Sequence, residues 1–327
     1  MSKTKNLYMG VDVGGTKILG ILTNGIDAEI IDRLQAPTPK ENSDEVGPAI
    51  LAVVDELYKK AQNAGSIVRG VGVGVPGLVD KNGVLRYGPN VQGVLNLDIT
   101  SMIRAKLEIP AVAENDGTLA ALVESRVGAA QGHDNAVLIT QGTGIAGGII
   151  IDGKVVKGAN GFAGEPGHAL IDPNGPMCAC KQKGCWEALS SGAGLANIAR
   201  LIVEEGKGQK ILELAGGDSK NIRGEHVAEM AEKNDPDALE VFDTFATWVS
   251  IGLSNISALL DPSIIVLGGG LASVSDQFID KVRERLPNRL IGAEYRPKIE
   301  VVPAKFSKEA GAIGGAIRAR DFVINGI

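Results

Sequence analysis

The sequence predicts an α/β protein built as two related domains. Strand-like and helix-like stretches alternate along its 327 residues. A strand, a glycine turn containing threonine and a second strand occur at 6–23 and again at 135–151, so one plan is used twice. At 33.9 kDa the chain is also long enough for two domains with cores of their own.

The elements follow in order. Asn6–Val13 and Ile18–Thr23 read as strands around the turn Gly14-Gly15-Thr16-Lys17. Asp44–Ala64 is an amphipathic helix, because Val46, Ile50, Val53, Val54 and Leu57 recur at helical spacing. The β-branched run Val68–Val75 is a strand ended by Pro76-Gly77. Ile109–Ala113 is a short strand, and Gly117–Val127 a helix with Leu119, Leu122 and Val123 on its inner face. Asn135–Thr140 and Gly148–Ile151 flank the second glycine turn. Helices follow at Ala193–Glu205, Gly224–Glu232 and Asp237–Leu260, the last stopped by Asp261-Pro262. Ser263–Leu267 is a buried strand running into Gly268-Gly269-Gly270, with a helix at Asp276–Arg285 beyond it. The closing segment Lys308–Val323 is helical and rich in small residues, which suits close packing back on the first domain.

A net charge of −6 and a pI near 5.3 argue against a binder of nucleic acid or of membrane surfaces, which needs a basic patch. Aromatic residues, at 4%, leave little for platforms on which single strands could stack. No stretch approaches a membrane span, and Asp12 comes before any signal-peptide apolar core can form. With reduced thiols expected, the natural compartment is the cytoplasm.

All three cysteines fall in the segment Cys178-Ala-Cys180-Lys-Gln-Lys-Gly-Cys185, downstream of His168. Three thiolates and one imidazole supply the four ligands that zinc takes in a closed tetrahedron. Three cysteines cannot all pair as disulfides. The loop Ile171-Asp-Pro-Asn-Gly-Pro176 is too polar and turn-rich to be core, so a structural zinc on His168, Cys178, Cys180 and Cys185 is expected.

Gly72–Gly77 and Gly142–Gly147 match the pattern G-x-G-x-x-G, but neither runs into a helix, as a dinucleotide site requires. No Walker-A sequence occurs either. A glycine turn between two strands can instead present backbone N–H groups as an anion nest, with a threonine hydroxyl as an added donor. One such turn is more often a plain hairpin. Two, with Asp12 beside the first, point to phosphate binding by Gly14, Gly15 and Thr16 and by Gly142, Thr143 and Gly144. An aspartate two residues before a nest is placed to hold Mg²⁺ through water. Lys17 either supports the phosphates or is solvated. Gly268, Gly269 and Gly270 either reverse the chain or let a flat ligand such as adenine approach the backbone.

Asp12-Val-Gly-Gly-Thr-Lys17, Glu114-Asn-Asp-Gly117, Gly142-Thr-Gly-Ile-Ala-Gly147, Gly164-Glu-Pro-Gly-His168 and Cys178-x-Cys180-x₄-Cys185-Trp-Glu187 occur in the order seen in the ROK family of repressors, open reading frames and kinases. From residue 7 to about 320 the chain resembles that family, which is similar to bacterial glucokinases and belongs to the hexokinase–actin group. The resemblance implies two actin-like (hexokinase/ribonuclease H-like) α/β domains with a cleft between them. Residues 1–116 with 308–327 would form the smaller domain, and 117–307 the larger one with the zinc loop. It implies ATP- and Mg²⁺-dependent phosphorylation of the glucose 6-hydroxyl, a glycolytic activity, by a cytoplasmic homodimer or homotetramer.

Asp116, taken alone, is a helix N-cap. Within the family pattern it resembles the general base, kept ionised by the helix N-terminus. Asn115, Glu165, His168 and Glu187 resemble sugar ligands, and Asn90 is a further candidate. His168 would serve the metal with one ring nitrogen and a sugar hydroxyl with the other. The chain departs from the pattern at Gln141, Ala146, Lys181 and Val94, and the last, where glucokinases often carry tryptophan, bears on which sugar is accepted. Mannose, fructose or an N-acetylhexosamine are alternative acceptors. Polyphosphate is the weaker donor, because relatives that use it tend to lack the zinc cluster. A sugar-responsive repressor of the same family would carry a helix-turn-helix domain ahead of Asp12, where only eleven residues stand.

Overall fold

The structure, a computed structural model, describes residues 5–326 except 41, 89, 90, 92 and 93. The chain opens with β1 (Asn6–Val13), β2 (Lys17–Thr23) and β3 (Asp32–Pro37), then α1 (Val46–Asn63). Next come β4 (Ile67–Val75), β5 (Leu78–Val79), β6 (Leu85–Gly88), β7 (Val94–Leu97), α2 (Ile99–Leu107), β8 (Ala111–Asn115) and α3 (Asp116–Val127). The middle holds β9 (Ala136–Gln141), β10 (Ile145–Ile151), β11 (Lys154–Val155), α4 (Trp186–Ser190), α5 (Gly192–Glu204), α6 (Gln209–Leu214), α7 (Gly224–Glu232) and α8 (Pro236–Leu260). The end consists of β12 (Ile264–Gly268), α9 (Ile279–Arg285), β13 (Glu300–Pro303) and α10 (Ala310–Asn325).

Two five-stranded sheets carry the fold, in the orders β3-β2-β1-β4-β8 and β11-β10-β9-β12-β13. In the first, β1 runs antiparallel to β2 and parallel to β4, and β4 parallel to β8. In the second, β9, β12 and β13 run parallel and β10 turns back antiparallel to β11. The same order used twice is the actin-like α/β plan that the repeated glycine turn predicts. A small antiparallel sheet, β5-β6-β7, is added.

The chain divides into two compact units, one of Met1–Asp134, Gly148–Gly164 and Lys305–Ile327, the other of Asn135–Gly147 and Glu165–Ala304. The boundary therefore does not fall at Asp116/Gly117, where the sequence reading placed it. The reason is α10. Its small residues let it lie directly on β1, β4 and α3: a Cβ on Gly10 or Gly72 would overlap the backbone of Ala312 or Gly315, and one on Gly314 that of Leu119. Packing this close is open only to glycine, and it keeps α3 in the first unit.

In the first unit, α1 buries Ile50, Val53, Val54 and Leu57, the stripe read from its spacing. Each such side chain contributes roughly 1.5–3 kcal/mol. In the second unit the core centres on Phe242 and Phe245 of α8 with Phe278, ring centroids 5.1–6.3 Å apart, and on Trp186. Helix α8 begins at Asp235, whose carboxylate accepts from the Asp237 and Ala238 N–H groups, with Pro236 in the first turn. It ends as read, because Asp261 turns left-handed at φ 44°. Helix α9 starts later than the expected Asp276, since Gly270–Gln277 is a kinked 3₁₀ stretch. Among the described residues no helix is long and apolar enough to cross a membrane.

Candidate active site and metal centre

In the first unit, Asp12 stands next to last in β1, paired with Leu19 across the hairpin and with Gly74 on the other side. The turn after it is closed by the Gly14 N–H donating to Lys17 O at 2.9 Å and by the Thr38 hydroxyl donating to Gly14 O at 2.6 Å. Gly15 and Thr16 are exposed at its tip. Burial first, and then the charge of Asp116, push the Asp12 carboxyl up to about 7, while Lys17 pulls it down. Lys17 thus stands near enough for its charge to favour the ionised Asp12.

Strand β8 delivers the other carboxyl. Asn115 caps α3: its Oδ1 accepts from Thr118 N at 3.2 Å, and its Nδ2 donates to Gly77 O at 3.1 Å. Asp116 is therefore the first helical residue and not the N-cap that the isolated sequence suggests. Its Oδ1 accepts from the Gly117 N–H at 2.9 Å. Burial holds the Asp116 carboxyl above the usual range, against the pull of the Gly117 N–H. Two carboxyls short of compensating positive charge are the donor chemistry a divalent cation fits.

The residue before them, Glu114, is buried. It accepts from Arg318 Nε at 2.9 Å and is paired with Lys157. In the sequence Glu114 opens the motif Glu114-Asn-Asp-Gly117 and has no expected task of its own. Lys157 and Arg318 are missed altogether, since neither stands near it in sequence.

In the second unit, one ligand atom from each of His168, Cys178, Cys180 and Cys185 lies within 4.8 Å of all the others. Cys180 and Cys185 sulfurs are 3.5 Å apart, and Cys178 Sγ is 3.8 Å from His168 Nδ1. The edge of a tetrahedron with 2.3 Å zinc–sulfur bonds is ~3.8 Å, so the set fits zinc. In the thiol form, burial and the neighbouring Glu187 carboxylate help push Cys178 up to about 12, an environment that only a bound cation makes favourable to a thiolate. Nδ1 is the His168 atom turned to the cluster. His168 sits in the short 3₁₀ turn Pro166–His168 that follows Glu165.

Cys185 is also the N-cap residue of α4, whose second residue is Glu187. Glu187 Oε1 meets Cys178 Sγ at 3.4 Å, and Oε2 accepts from the Ile145 N–H at 2.8 Å. The structure therefore brings Glu187 to both the cysteine cluster and the second glycine turn. In that turn Gly142 N donates to Gly144 O at 2.9 Å, and Thr143 is exposed. A Cβ on Gly144 would overlap the Glu187 carboxylate. Gly268 ends β12, and Gly269 is left-handed at φ 82°, where a Cβ would lie 2.5 Å from Gln141 O. Gly270 N then faces Gly142, so the third glycine run stands beside the second turn. Asn90 lies outside the described residues.

Residues 8–321 match the sequence model of the ROK family. The chain is 32% identical over 320 residues to a glucokinase of Streptomyces coelicolor, covering 96% of this chain and 98% of the relative. It is 30% identical to the xylose repressor of Bacillus spizizenii, covering 96% of this chain and 77% of the repressor. Among solved structures it resembles a ROK family glucokinase of Streptomyces griseus in complex with glucose and AMPPNP, with a TM-score of 0.80 and 34% identity over 96% of this chain and 99% of that one.

Proposed function

This chain belongs to the ROK family, and we propose that it is an ATP-dependent hexose kinase that phosphorylates the 6-hydroxyl of glucose. One observation carries the reading most directly. Asp116, at the first turn of α3, is close enough to Asp12 for its charge to be felt there, just before a glycine turn whose tip, Gly15 and Thr16, is exposed. Phosphoryl transfer to an alcohol needs just two such groups, one to take the hydroxyl proton and one to organise charge around the phosphate.

In this reading Asp116 accepts the proton of the 6-hydroxyl as that oxygen attacks the γ-phosphorus in line. Burial raises its proton affinity above that of an ordinary carboxylate, which favours taking up the proton. Asp12 would hold Mg²⁺, which supplies charge neutralisation on the transferring phosphate. The Gly14 and Gly142 N–H groups close their own turns, so the amides of Gly15, Thr16, Thr143 and Gly144 and the hydroxyls of Thr16 and Thr143 are the ones that donate to the phosphates, with Lys17 as a nearby cation. Gly268, Gly269 and Gly270 offer bare backbone to adenine. Asn115, Glu165, His168 and Glu187 donate to or accept from sugar hydroxyls, as does Asn90. For Asn115 the capping bonds use one amide hydrogen and one lone pair, leaving one of each. His168, Cys178, Cys180 and Cys185 would hold zinc, which pins the loop and takes no part in the chemistry. The proposed compartment is the cytoplasm, where thiols stay reduced.

Glucose is the acceptor named for the S. griseus structure, and glucokinase is the activity named for the S. coelicolor relative. An assay coupled to ADP release across glucose, mannose, fructose, N-acetylglucosamine and N-acetylmannosamine tests the choice. The highest kcat/KM is expected for glucose. A higher value for another hexose would reassign the substrate, and sugar binding without turnover of any would favour a sensing role like that of the repressors.

A further inference from the structure

Gln141 is a departure within the second turn that the chemistry above leaves without a task. It is the last residue of β9 and is 1% exposed. Its Nε2 donates to the carbonyl oxygen of Ser190, the last residue of α4, at 2.7 Å. An amide side chain is tolerated in an interior chiefly when bonded, so this bond accounts for the glutamine. Two more bonds join the same elements: Gly192 N donates to Gly142 O at 2.7 Å, and Ile145 N donates to Glu187 at 2.8 Å. The turn is thus fastened on both sides, at Gln141 and Gly142 where it opens and at Ile145 just after it, to α4 and the residues just after that helix. Helix α4 is itself immobilised, because Trp186 is 1% exposed and donates Nε1 to Trp248 O at 3.0 Å.

We propose that Gln141 is a positioning residue for nucleotide binding, latching the Gly142–Gly144 turn to the C-terminal end of α4 so that its N–H groups are aimed before the ligand arrives. The proposal rests on the reading of this turn as a phosphate nest. A nest binds well only when its donors are already oriented; a loose one must be ordered by the ligand, at the expense of affinity. The Gln141 side chain is buried against Ser190 and acts through the backbone of the turn. Because α4 is held separately through Trp186, loss of this bond is expected to loosen the turn and not the helix that bears Glu187.

Calorimetric titration of AMPPNP with magnesium, and separately of glucose, into the zinc-loaded wild type, Gln141→Met, Gln141→Leu and Gly142→Val tests this. Both replacements put an apolar side chain of similar size in place of the amide and remove the Gln141 donor to the Ser190 carbonyl. Gly142→Val puts a side chain into open space before the turn, where the nearest atom is Gly270 N at 4.0 Å, and so obstructs a phosphate without touching the latch. The glutamine variants are expected to bind AMPPNP about 5–30-fold more weakly, with glucose affinity unchanged. Should one of them fail to fold by near-ultraviolet circular dichroism, the other decides. If Gly142→Val weakens AMPPNP while the glutamine variants match wild type, the latch is wrong and the nest stands. If no variant changes AMPPNP affinity, the nest is wrong and the latch falls with it. Equal weakening of glucose and AMPPNP would mark Gln141 as a general packing residue and overturn the proposal.

Discussion

The carboxyl of Asp12, near the end of strand β1, is pushed up to about 7 by its burial and by the charge of Asp116, the first residue of helix α3, although the two stand far apart in sequence. Asp12 is kept buried in the field of a second acidic group, with Lys17 opposing that field. Such an arrangement opposes folding in the absence of ligands and becomes useful when a cation or a proton arrives.

That relationship predicts a pH-dependent stability. Between 3.8 and about 7 the folded chain keeps a proton on Asp12 that the unfolded chain has released. The contribution of this group to stability is therefore full below 3.8 and is lost as the pH rises toward 7. Above that, the buried charge costs at most ~4 kcal/mol. Asp12→Asn should unfold at higher urea than wild type at pH 8 without magnesium or nucleotide, by about 1–4 kcal/mol, with the gap shrinking toward pH 5. The same variant should lose kcat and respond differently to magnesium. A variant less stable than wild type at pH 8 would show that Asp12 is not a strained charge.

Glu114, unlike Asp12, has two cationic partners. Its carboxylate serves Arg318 and Lys157, so Glu114→Ala leaves two cations without their common partner. Loss of about 2–4 kcal/mol in urea unfolding is expected, with Glu114→Gln in between. Combining Glu114→Ala with Arg318→Met should recover part of the loss. Additive losses in that double variant would mean the two side chains are not coupled.

The metal centre makes a third prediction. Elemental analysis should find one zinc per chain, absent after Cys178→Ser or Cys185→Ser. Because the cluster orders the loop bearing His168 and begins the helix bearing Glu187, metal loss should also weaken glucose binding. Carefully prepared wild type without zinc would remove the assignment.

Much of this was legible before any coordinates. Periodicity located α1, and the Asp261-Pro262 stop located the end of α8, because both signals are local. The cysteine spacing brought Cys178, Cys180 and Cys185 together, and His168 joined them as expected. Other features were hidden for physical reasons. Helix α4 has only five residues, too few for a period, so the role of Ser190 as an acceptor left no trace. Strand β3 alternates half-buried and exposed positions with a mixed polar sequence, which carries a weak strand signal. The partners of Glu114 come from residues 157 and 318, contacts set by tertiary packing alone. Asn115, expected as a sugar ligand, is the N-cap of α3, so the cap stands one residue earlier than expected and Asp116 is the first helical residue.

The most direct measurement is the rate of glucose 6-phosphate formation at saturating glucose and magnesium ATP, in wild type and in Asp116→Asn, with glucose binding followed by calorimetry in both. Asp116→Asn should bind glucose nearly as wild type does and lose ~10²–10⁴-fold in kcat, the usual consequence of removing a general base. Near-wild-type turnover in Asp116→Asn, or no glucose 6-phosphate from the wild type, would contradict phosphoryl transfer by the Asp116 carboxylate.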